Sequence, residues 1–378
     1  MKPLGLNERD VFDQSPRRHG GLGRLHLDGF LLTGLLALAG AGLVILYSAG
    51  HQDGDLLIRQ GIRLGLGFAV MAALAQLPPY VLRHWTPWVY GAGILLLLAV
   101  LVMGEVGKGA QRWLDLGVIR FQPSELMKLA LPMMLGWYFA DKTLPPRWRH
   151  LLIGTVLVVL PFALIVRQPD LGTALLVASS GFFALFLGGL SWRIMGGFMV
   201  AGAVGAPLFW EFGMRDYQRQ RVLTFLDPET DPLGAGYHII QSKIAIGSGG
   251  LYGKGWLNGT QSYLEFLPES STDFIFAVFA EEFGLIGLCL LLTLYFLIIA
   301  RSLWIAAQAP DTFTRLLGGS LALTFFVYVF VNAGMVSGLL PVVGLPLPLI
   351  SYGGTSLVTI MAGFGILMGI HSHRRLLH

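Results

Sequence analysis

Apolar runs recur along this chain from about residue 30 to residue 371. A helix that crosses about 30 Å of hydrocarbon needs roughly 20 predominantly apolar residues. Of the 378 residues, 54% are hydrophobic and only 13% are charged, whereas a soluble domain needs a larger charged surface. The sequence therefore predicts an all-α, polytopic membrane protein with no separate soluble domain.

We predict ten transmembrane helices in one membrane domain, residues 29–371, between an N-terminal tail, residues 1–28, and a C-terminal tail, residues 372–378. The predicted spans are Phe30–Tyr47, Ile58–Leu77, Trp85–Met103, Ser124–Ala140, Leu151–Val166, Leu171–Leu187, Ile194–Phe212, Asp273–Ala300, Phe313–Ser337 and Gly354–His371. An even number of crossings places both tails on the same side of the membrane.

The distribution of Lys and Arg predicts which side that is, because cytoplasmic segments are enriched in these residues. The tails and the loops on their side carry Lys2, Arg9, Arg17, Arg18, Arg24, Arg83, Lys142, Arg147, Arg149, Arg193, Arg301, Arg315, Arg374 and Arg375. The short loops opposite carry Arg59, Arg63, Lys108, Arg112, Arg120 and Arg167. Both termini are therefore predicted to be cytoplasmic.

One long extracytoplasmic loop is predicted from about residue 213 to residue 272. Loops longer than about 15 residues in compact domains tend to be functional or disordered. This segment is rich in glycine, aromatic residues and charges of both signs, a composition that argues against disorder. We expect it to carry part of the function.

Several classes of function are disfavoured by composition. The single cysteine, Cys289, lies in an apolar run and cannot form an internal disulfide or a cysteine metal cluster. The formal net charge of +4 requires no nucleic-acid partner. The stretch Ser248–Gly255 is superficially similar to a phosphate-binding loop, but it lacks the first glycine and the hydroxyl residue after Lys254. A nucleotide site is therefore not predicted.

Asp273 stands where the long loop meets the apolar run of the eighth span. It could cap the backbone donors of its own helix, or it could serve as a functional carboxylate at the outer interface. In a continuous helix, Asp273, Ala277 and Glu281 would share one face, with Glu281 about 12 Å deeper. Ionisable groups inside a membrane are costly and commonly functional. This face predicts a polar groove that descends from the outer surface.

Other charged residues offer further candidate contacts. Glu125 and Lys128 are spaced i, i+3 on the fourth span, so they share a helix face and are expected to pair. That pair could join two helices or form the floor of a polar cavity. Arg112 lies beside Trp113 in the segment before this span, and its guanidinium suits a phosphate.

Two further segments face the same outer side. Lys243 and Lys254 of the long loop face an anionic outer leaflet or an anionic ligand. The apolar, proline-rich stretch Leu340–Ser356 cannot form a regular helix. Such backbone beside a membrane packs into protein or lines a cavity, so we expect it to form part of a lipid-binding wall.

These segments together resemble the SEDS family (shape, elongation, division and sporulation). The matching stretches are Gln111–Trp113, Gln122–Lys128, Phe225–Glu229, Asp231–His238, Gln241–Gly250, Leu264–Glu269, Thr272–Val278 and Leu340–Gly354. The resemblance covers nearly everything after about residue 24, and the combination of stretches is far more specific than any one of them.

The resemblance implies a bacterial peptidoglycan glycosyltransferase that polymerises lipid II into glycan strands outside the plasma membrane during cell elongation. It implies ten spans and a class B penicillin-binding protein as the cross-linking partner, together with other membrane proteins of the elongation complex. The family's catalytic aspartate falls on Asp273, the acidic residue ahead of it on Glu265, and its intramembrane pair on Glu125 and Lys128.

The implied reaction is an inverting transfer in which Asp273 takes the proton of the attacking sugar hydroxyl. Arg112, Lys243, Lys254 or a divalent cation such as Mg²⁺ would stabilise the departing polyprenyl diphosphate. Glu265, Glu269 and Asp273 follow one another at four-residue intervals, and three carboxylates so close would recruit a cation. A lipid II flippase and a non-catalytic scaffold for the partner synthase remain the alternatives.

Overall fold

The computed structural model describes residues 26–107, 110–115, 120–214, 216–227, 235–263, 266–267 and 269–373. Ten long helices correspond one to one with the predicted spans. They are α1 (Gly29–Ala49), α2 (Gly54–Ala75), α3 (Pro79–Met103), α4 (Pro123–Ala140), α5 (Trp148–Arg167), α6 (Leu171–Leu187), α7 (Trp192–Leu208), α11 (Ile275–Ala307), α12 (Thr312–Val336) and α13 (Thr355–His373). Three shorter helices, α8 (Asp216–Leu226), α9 (Ala235–Ser248) and α10 (Thr260–Tyr263), lie between α7 and α11.

Eight helices in the described part of the chain are long and apolar enough to cross a membrane. One of them is α7 together with the π-helical turn Phe209–Gly213 that continues it. The remaining two predicted spans correspond to α4, which contains Glu125 and Lys128, and α6, which has 17 residues. The protein is therefore a multi-pass membrane protein, while length and composition alone support eight crossings rather than the predicted ten.

The described chain is predominantly α-helical, as predicted, and one connecting segment contains short strands. Three short strands, β1 (Glu105–Gly107), β2 (Ala110–Asp115) and β3 (Arg120–Phe121), form an antiparallel sheet between α3 and α4. Glu105 pairs with Trp113, and Leu114 pairs with Phe121. The pairing satisfies the strands' backbone groups without a helix and sets the backbone position of Arg112 in β2.

The two ends of the described chain meet at one end of the helix assembly. The ring of His26 stacks on that of His373, with 4.5 Å between the centroids. Asp28, which caps α1, pairs with Arg301 near the end of α11 at 2.6 Å. Burial acts to raise the pKa of Asp28, but the hydrogen bond and charge of Arg301 outweigh it, so the pKa lies below its usual value. Both ends of the described chain thus lie at the same end of the helix assembly.

The eighth span differs from its prediction at both ends and in its middle. The helix starts at Ile275 rather than Asp273 and continues to Ala307. It is interrupted at Gly284, whose φ of 65° and ψ of −165° are not helical. That backbone region is essentially restricted to glycine.

The interruption leaves main-chain N–H and C=O groups of α11 without helical partners. Residues of the segment between α7 and α11, which we call the outer segment, form hydrogen bonds with these groups. The N–H groups of Lys254 and Gly255 donate to the carbonyls of Glu281 and Glu282, each at 3.0 Å. In return, the N–H groups of Leu285 and Ile286 donate to the carbonyls of Gly250 and Leu251, at 2.9 and 3.1 Å. Residues 250–255 are therefore joined to α11 through main-chain hydrogen bonds, and the predicted long loop is partly helical and ordered against the membrane domain.

We expect Gly284→Ala to lower the stability of the protein. Its added Cβ would lie 2.3 Å from the amide nitrogen of Gly253, and the non-glycine backbone itself costs about 1–3 kcal/mol. Thermal unfolding in detergent measures the effect. Gly40→Ala is the matched control, because a Cβ there meets nothing within 4 Å. An unchanged midpoint for Gly284→Ala would show that the join between α11 and residues 250–255 is not a rigid part of the fold.

Candidate active site

A polar cavity of about 480 Å³ opens where the long helices meet the outer segment. Its walls come from β2, the turn before α6, the turn before α11 and the proline-rich segment before α13. The lining residues include Arg112, Asp170, Glu269, Asp273, Val343 and Tyr352. The apolar, proline-rich stretch therefore does line a cavity, as its sequence predicted.

Asp273 reaches this cavity from a tightly held turn. The N-cap position of α11 is Phe274, which makes no side-chain capping bond, and Asp273 lies one residue before it. The side-chain amide of Asn332 donates to the carbonyl of Asp273 at 3.0 Å. The hydroxyl of Ser351 donates to the carbonyl of Thr272 at 2.6 Å. These bonds fix the backbone that carries the carboxylate.

The proline-rich segment approaches the carboxylate at a glycine. Gly344 has a φ of 75°, and a Cβ on it would lie 3.5 Å from Oδ2 of Asp273. The positive φ favours glycine, and the missing side chain leaves the space beside the carboxylate open. The same side chain of Asn332 also donates to the carbonyl of Leu345 at 2.7 Å, which ties this wall to the turn of Asp273.

Arg112 is held at the cavity wall by a residue that the sequence analysis missed. Its Nη2 donates to the carbonyl of Pro169 at 3.0 Å, and its Nε lies 3.6 Å from Oδ2 of Asp170. Asp170 is buried, accepts from the Nε2 of Gln122 at 3.3 Å, and caps α6 through the N–H of Thr173 at 3.1 Å. In the sequence, an Asp directly before a helical run indicates a helix cap. The contact of Asp170 with Arg112 leaves no signal of its own in the sequence.

The three carboxylates predicted to cluster are only partly described. Glu269 lines the same cavity as Asp273, and its Oε2 accepts from the hydroxyl of Thr272 at 2.7 Å. Glu265 lies outside the described residues, so its proximity to Asp273 remains a prediction. Among the described residues, no group of three or more His, Cys, Asp or Glu side chains could hold a metal ion.

Lys254 and Glu281 lie together but do not line this cavity. Nζ of Lys254 is 2.7 Å from Oε1 of Glu281, whose side chain is fully buried. Oε1 also accepts from the hydroxyl of Thr260 at 3.0 Å and the N–H of Gln261 at 3.2 Å. The predicted groove from Asp273 to Glu281 is therefore wrong, because Asp273 precedes the helix and Glu281 is enclosed beneath the start of α10.

Lys243 also lies away from the cavity lining. It is an exposed residue of α9, and its chain runs over Gly338 in the turn after α12. A Cβ on Gly338 would lie 2.7 Å from the Lys243 ammonium nitrogen. Of the three basic residues predicted to meet a diphosphate, only Arg112 is placed at the cavity.

Glu125 and Lys128 form the predicted direct pair. Nζ of Lys128 lies 2.7 Å from Oε1 of Glu125 and 2.5 Å from the hydroxyl of Tyr328, and both charged residues are buried. Tyr328 belongs to α12, so the group joins α4 to α12. Nothing in the local sequence around residue 328 indicated this third member.

Removing Lys128 is expected to strand the Glu125 carboxylate in a buried position. Breaking a buried pair by removing one partner costs about 3–5 kcal/mol, so Lys128→Ala should be strongly destabilising. The double variant Glu125→Ala with Lys128→Ala should lose less than the sum of the two single changes. Unfolding in detergent measures the cycle, with Tyr328→Phe testing the third contact. Strictly additive losses would contradict the pairing.

The fold and the cavity define a multi-pass membrane protein with a carboxylate and a guanidinium facing a polar chamber at the ends of its helices. The chain belongs to the FtsW/RodA/SpoVE family, described as cell cycle proteins, which matches residues 25–376. This is the family that the sequence motifs indicated.

Curated relatives share most of the chain. It is 56% identical over 354 residues to the peptidoglycan glycosyltransferase MrdB of Escherichia coli (strain K12), covering 94% of this chain and 96% of that protein. It is 30% identical over 423 residues to the peptidoglycan glycosyltransferase RodA of Treponema pallidum (strain Nichols), covering 92% of this chain and 98% of the relative.

Solved structures share the fold. One chain, from a peptidoglycan synthase complex described as coordinating polymerization and crosslinking, matches with a TM-score of 0.80 and 38% identity over 92% of this chain and 98% of that one. The rod shape determining protein RodA of Thermus thermophilus matches with a TM-score of 0.70 and 33% identity over 92% and 97%.

Proposed function

We propose that this chain is a peptidoglycan glycosyltransferase that polymerises lipid II at the outer face of the bacterial plasma membrane during cell elongation. The observation that carries the proposal is the cavity in which the Asp273 carboxylate and the Arg112 guanidinium face one chamber. Relatives that share most of the chain's length carry the same activity in their names. Both termini are cytoplasmic in this proposal.

The reaction is an inverting transfer between two lipid-linked saccharides. Asp273 accepts the proton of the acceptor hydroxyl as that oxygen attacks the anomeric carbon of the donor. A positioned general base contributes about 10²–10⁴-fold to such a step. The bond from the anomeric carbon to the diphosphate oxygen breaks, and polyprenyl diphosphate leaves.

Arg112 stabilises the leaving diphosphate. Its guanidinium can give two parallel hydrogen bonds to phosphate oxygens, which a lysine cannot. Asp170 and the carbonyl of Pro169 hold that guanidinium at the cavity wall. Arg112 therefore supplies positive charge to the leaving diphosphate from this wall.

The cross-linking partner is a class B penicillin-binding protein, and other membrane proteins of the elongation complex accompany it. This part of the proposal is supported by the similarity to a chain from a complex that coordinates polymerization and crosslinking. Lipid II and the growing glycan strand are the substrates. A flippase would need access from both leaflets and no base at the outer surface, and a scaffold would leave Asp273 without a chemical role.

We expect Asp273→Asn and Asp273→Ala to abolish glycan polymerisation while leaving the protein folded. The turn is held through the main-chain carbonyls of Thr272 and Asp273, which both variants keep. The measurement is strand lengthening from lipid II by purified protein in detergent, where translocation has no meaning. Asp141→Asn is the control, because that carboxylate is exposed and pairs with Arg83. More than a tenth of wild-type activity in Asp273→Ala would remove Asp273 as the base.

Arg112→Gln should lower kcat by about 10²–10³-fold, the range for losing one preorganised electrostatic contact in a transition state. Arg112→Lys keeps the charge but loses the two-pronged geometry, so its kcat should fall between those of the wild type and Arg112→Gln. Steady-state polymerisation kinetics measure both. If only KM rises in Arg112→Gln, the residue binds substrate without stabilising the leaving group.

A further inference from the structure

Two arginines counted as outer-loop charges in the sequence lie inside α2. Arg59 and Arg63 are one helical turn apart in the helix Gly54–Ala75. Arg63 follows the start of α2 by nine residues, about 14 Å along the axis at 1.5 Å per residue. A guanidinium at such a depth in a membrane helix is costly, and such residues commonly mark a substrate pathway.

Arg63 is held by an aromatic ring rather than by an acid. Its guanidinium carbon lies 4.3 Å from the centroid of Tyr352, and within the described residues no carboxylate forms an ion pair with it. Arg59, nearer the helix start, is 3.6 Å from Asp53, with both side chains about half exposed. The positive charge on Arg63 is therefore not neutralised by the described part of the protein.

Tyr352 connects Arg63 to the catalytic chamber. It lines the cavity that contains Asp273, and its N–H donates to the carbonyl of Ser271 at 2.8 Å. An anion bound by Arg63 would lie beside a ring that forms the wall of that chamber.

The backbone beside Arg63 is also suited to an anion. Gly353 and Gly354 precede α13, and a Cβ on Gly354 would meet only the Nε of Arg63, at 4.0 Å. The start of a helix presents free N–H groups and a partial positive charge. The neighbouring side-chain amide of Gln60 is buried and donates to the carbonyl of Ser351 at 3.2 Å, which holds the segment before α13 against α2.

An apolar stripe runs alongside the two arginines. Ile58, Ile62 and Leu66 are 63%, 67% and 56% exposed, so they face lipid in a membrane helix. The positive stripe and the apolar stripe lie side by side on α2. This combination matches a polyprenyl diphosphate, which has a long hydrocarbon tail attached to an anionic group.

We propose that Arg59, Arg63 and the start of α13 bind the diphosphate of the acceptor lipid II, which enters sideways from the bilayer along α2. The inference rests on the proposed function, in which Arg112 holds the diphosphate of the donor. The reaction joins two lipid-linked molecules, so two diphosphates must be accommodated, and this site supplies the second location beside the Tyr352 wall of the chamber.

The test measures binding of undecaprenyl diphosphate to the full chain in phosphatidylcholine nanodiscs. An Arg112→Gln background removes the donor contact. Adding Arg59→Gln and Arg63→Gln should weaken binding at least tenfold, because hydrogen bonds to charged groups are among the stronger ones. Arg59→Lys with Arg63→Lys keeps both charges and should weaken undecaprenyl diphosphate binding less than the two glutamine changes do. Arg83→Gln, at the inner ends of the helices, is the matched control and should bind as its parent does.

Kinetics supply a second readout in an otherwise wild-type chain. Arg63→Gln should raise KM for lipid II about tenfold with kcat nearly unchanged, because the residue binds without reacting. Tyr352→Leu, which removes the ring beside Arg63, should act in the same direction.

Three results would overturn the inference. One is unchanged undecaprenyl diphosphate binding in the glutamine variants. Another is equal displacement of the probe by phosphatidylglycerol, which would make the site an ordinary contact for anionic phospholipid. The third is a fall in kcat alone in Arg63→Gln. Failure of the proposed function would appear separately, as wild-type protein that binds undecaprenyl diphosphate but lengthens no glycan, or as full activity in Asp273→Ala.

Discussion

Every backbone N–H and C=O at membrane depth must find a partner within the protein, and this requirement governs the architecture around α11. The helix breaks at Gly284, and the released groups are paired by residues 250–255 of the outer segment. The glycines at 253 and 284 permit the close approach, since each has a positive φ. A segment that appears as a loop in the sequence is thereby part of the membrane domain's hydrogen-bonded framework.

The same requirement places the candidate catalytic carboxylate. The turn before α11 and the proline-rich segment before α13 are both irregular, and they are joined by the hydrogen bonds that Ser351 and Tyr352 donate to the carbonyls of Thr272 and Ser271. Asn332 of α12 donates to the carbonyls of both segments, at Asp273 and Leu345. Asp273 thus stands on irregular backbone that is nevertheless fixed. Arg112 is fixed by different means, through a small sheet and the buried carboxylate of Asp170. Two rigid supports facing one chamber provide the preorganisation that electrostatic catalysis needs.

Features that depend on local sequence were predictable, and features that depend on distant pairing were not. Apolar runs located all ten long helices, and the i, i+3 spacing identified the Glu125–Lys128 pair. Tyr328 was missed because it is 200 residues from Lys128 in sequence. The break at Gly284 was missed because a glycine in a long apolar run gives no sign that another segment satisfies its neighbours. The pairing of Glu281 with Lys254 was missed for the same reason, because the two residues lie 27 positions apart in the sequence.

Gly284 divides α11 into two helical parts, and hydrogen bonds from the outer segment hold these two parts in a fixed relative orientation. The first part, residues 275–283, follows the Asp273 turn, and its C-terminal end forms hydrogen bonds with residues 250–255. The ion pair between Lys254 and the buried Glu281 adds a side-chain contact between the same two segments. A displacement of residues 250–255 would therefore be transmitted to both parts of α11, including the part that carries the Asp273 turn.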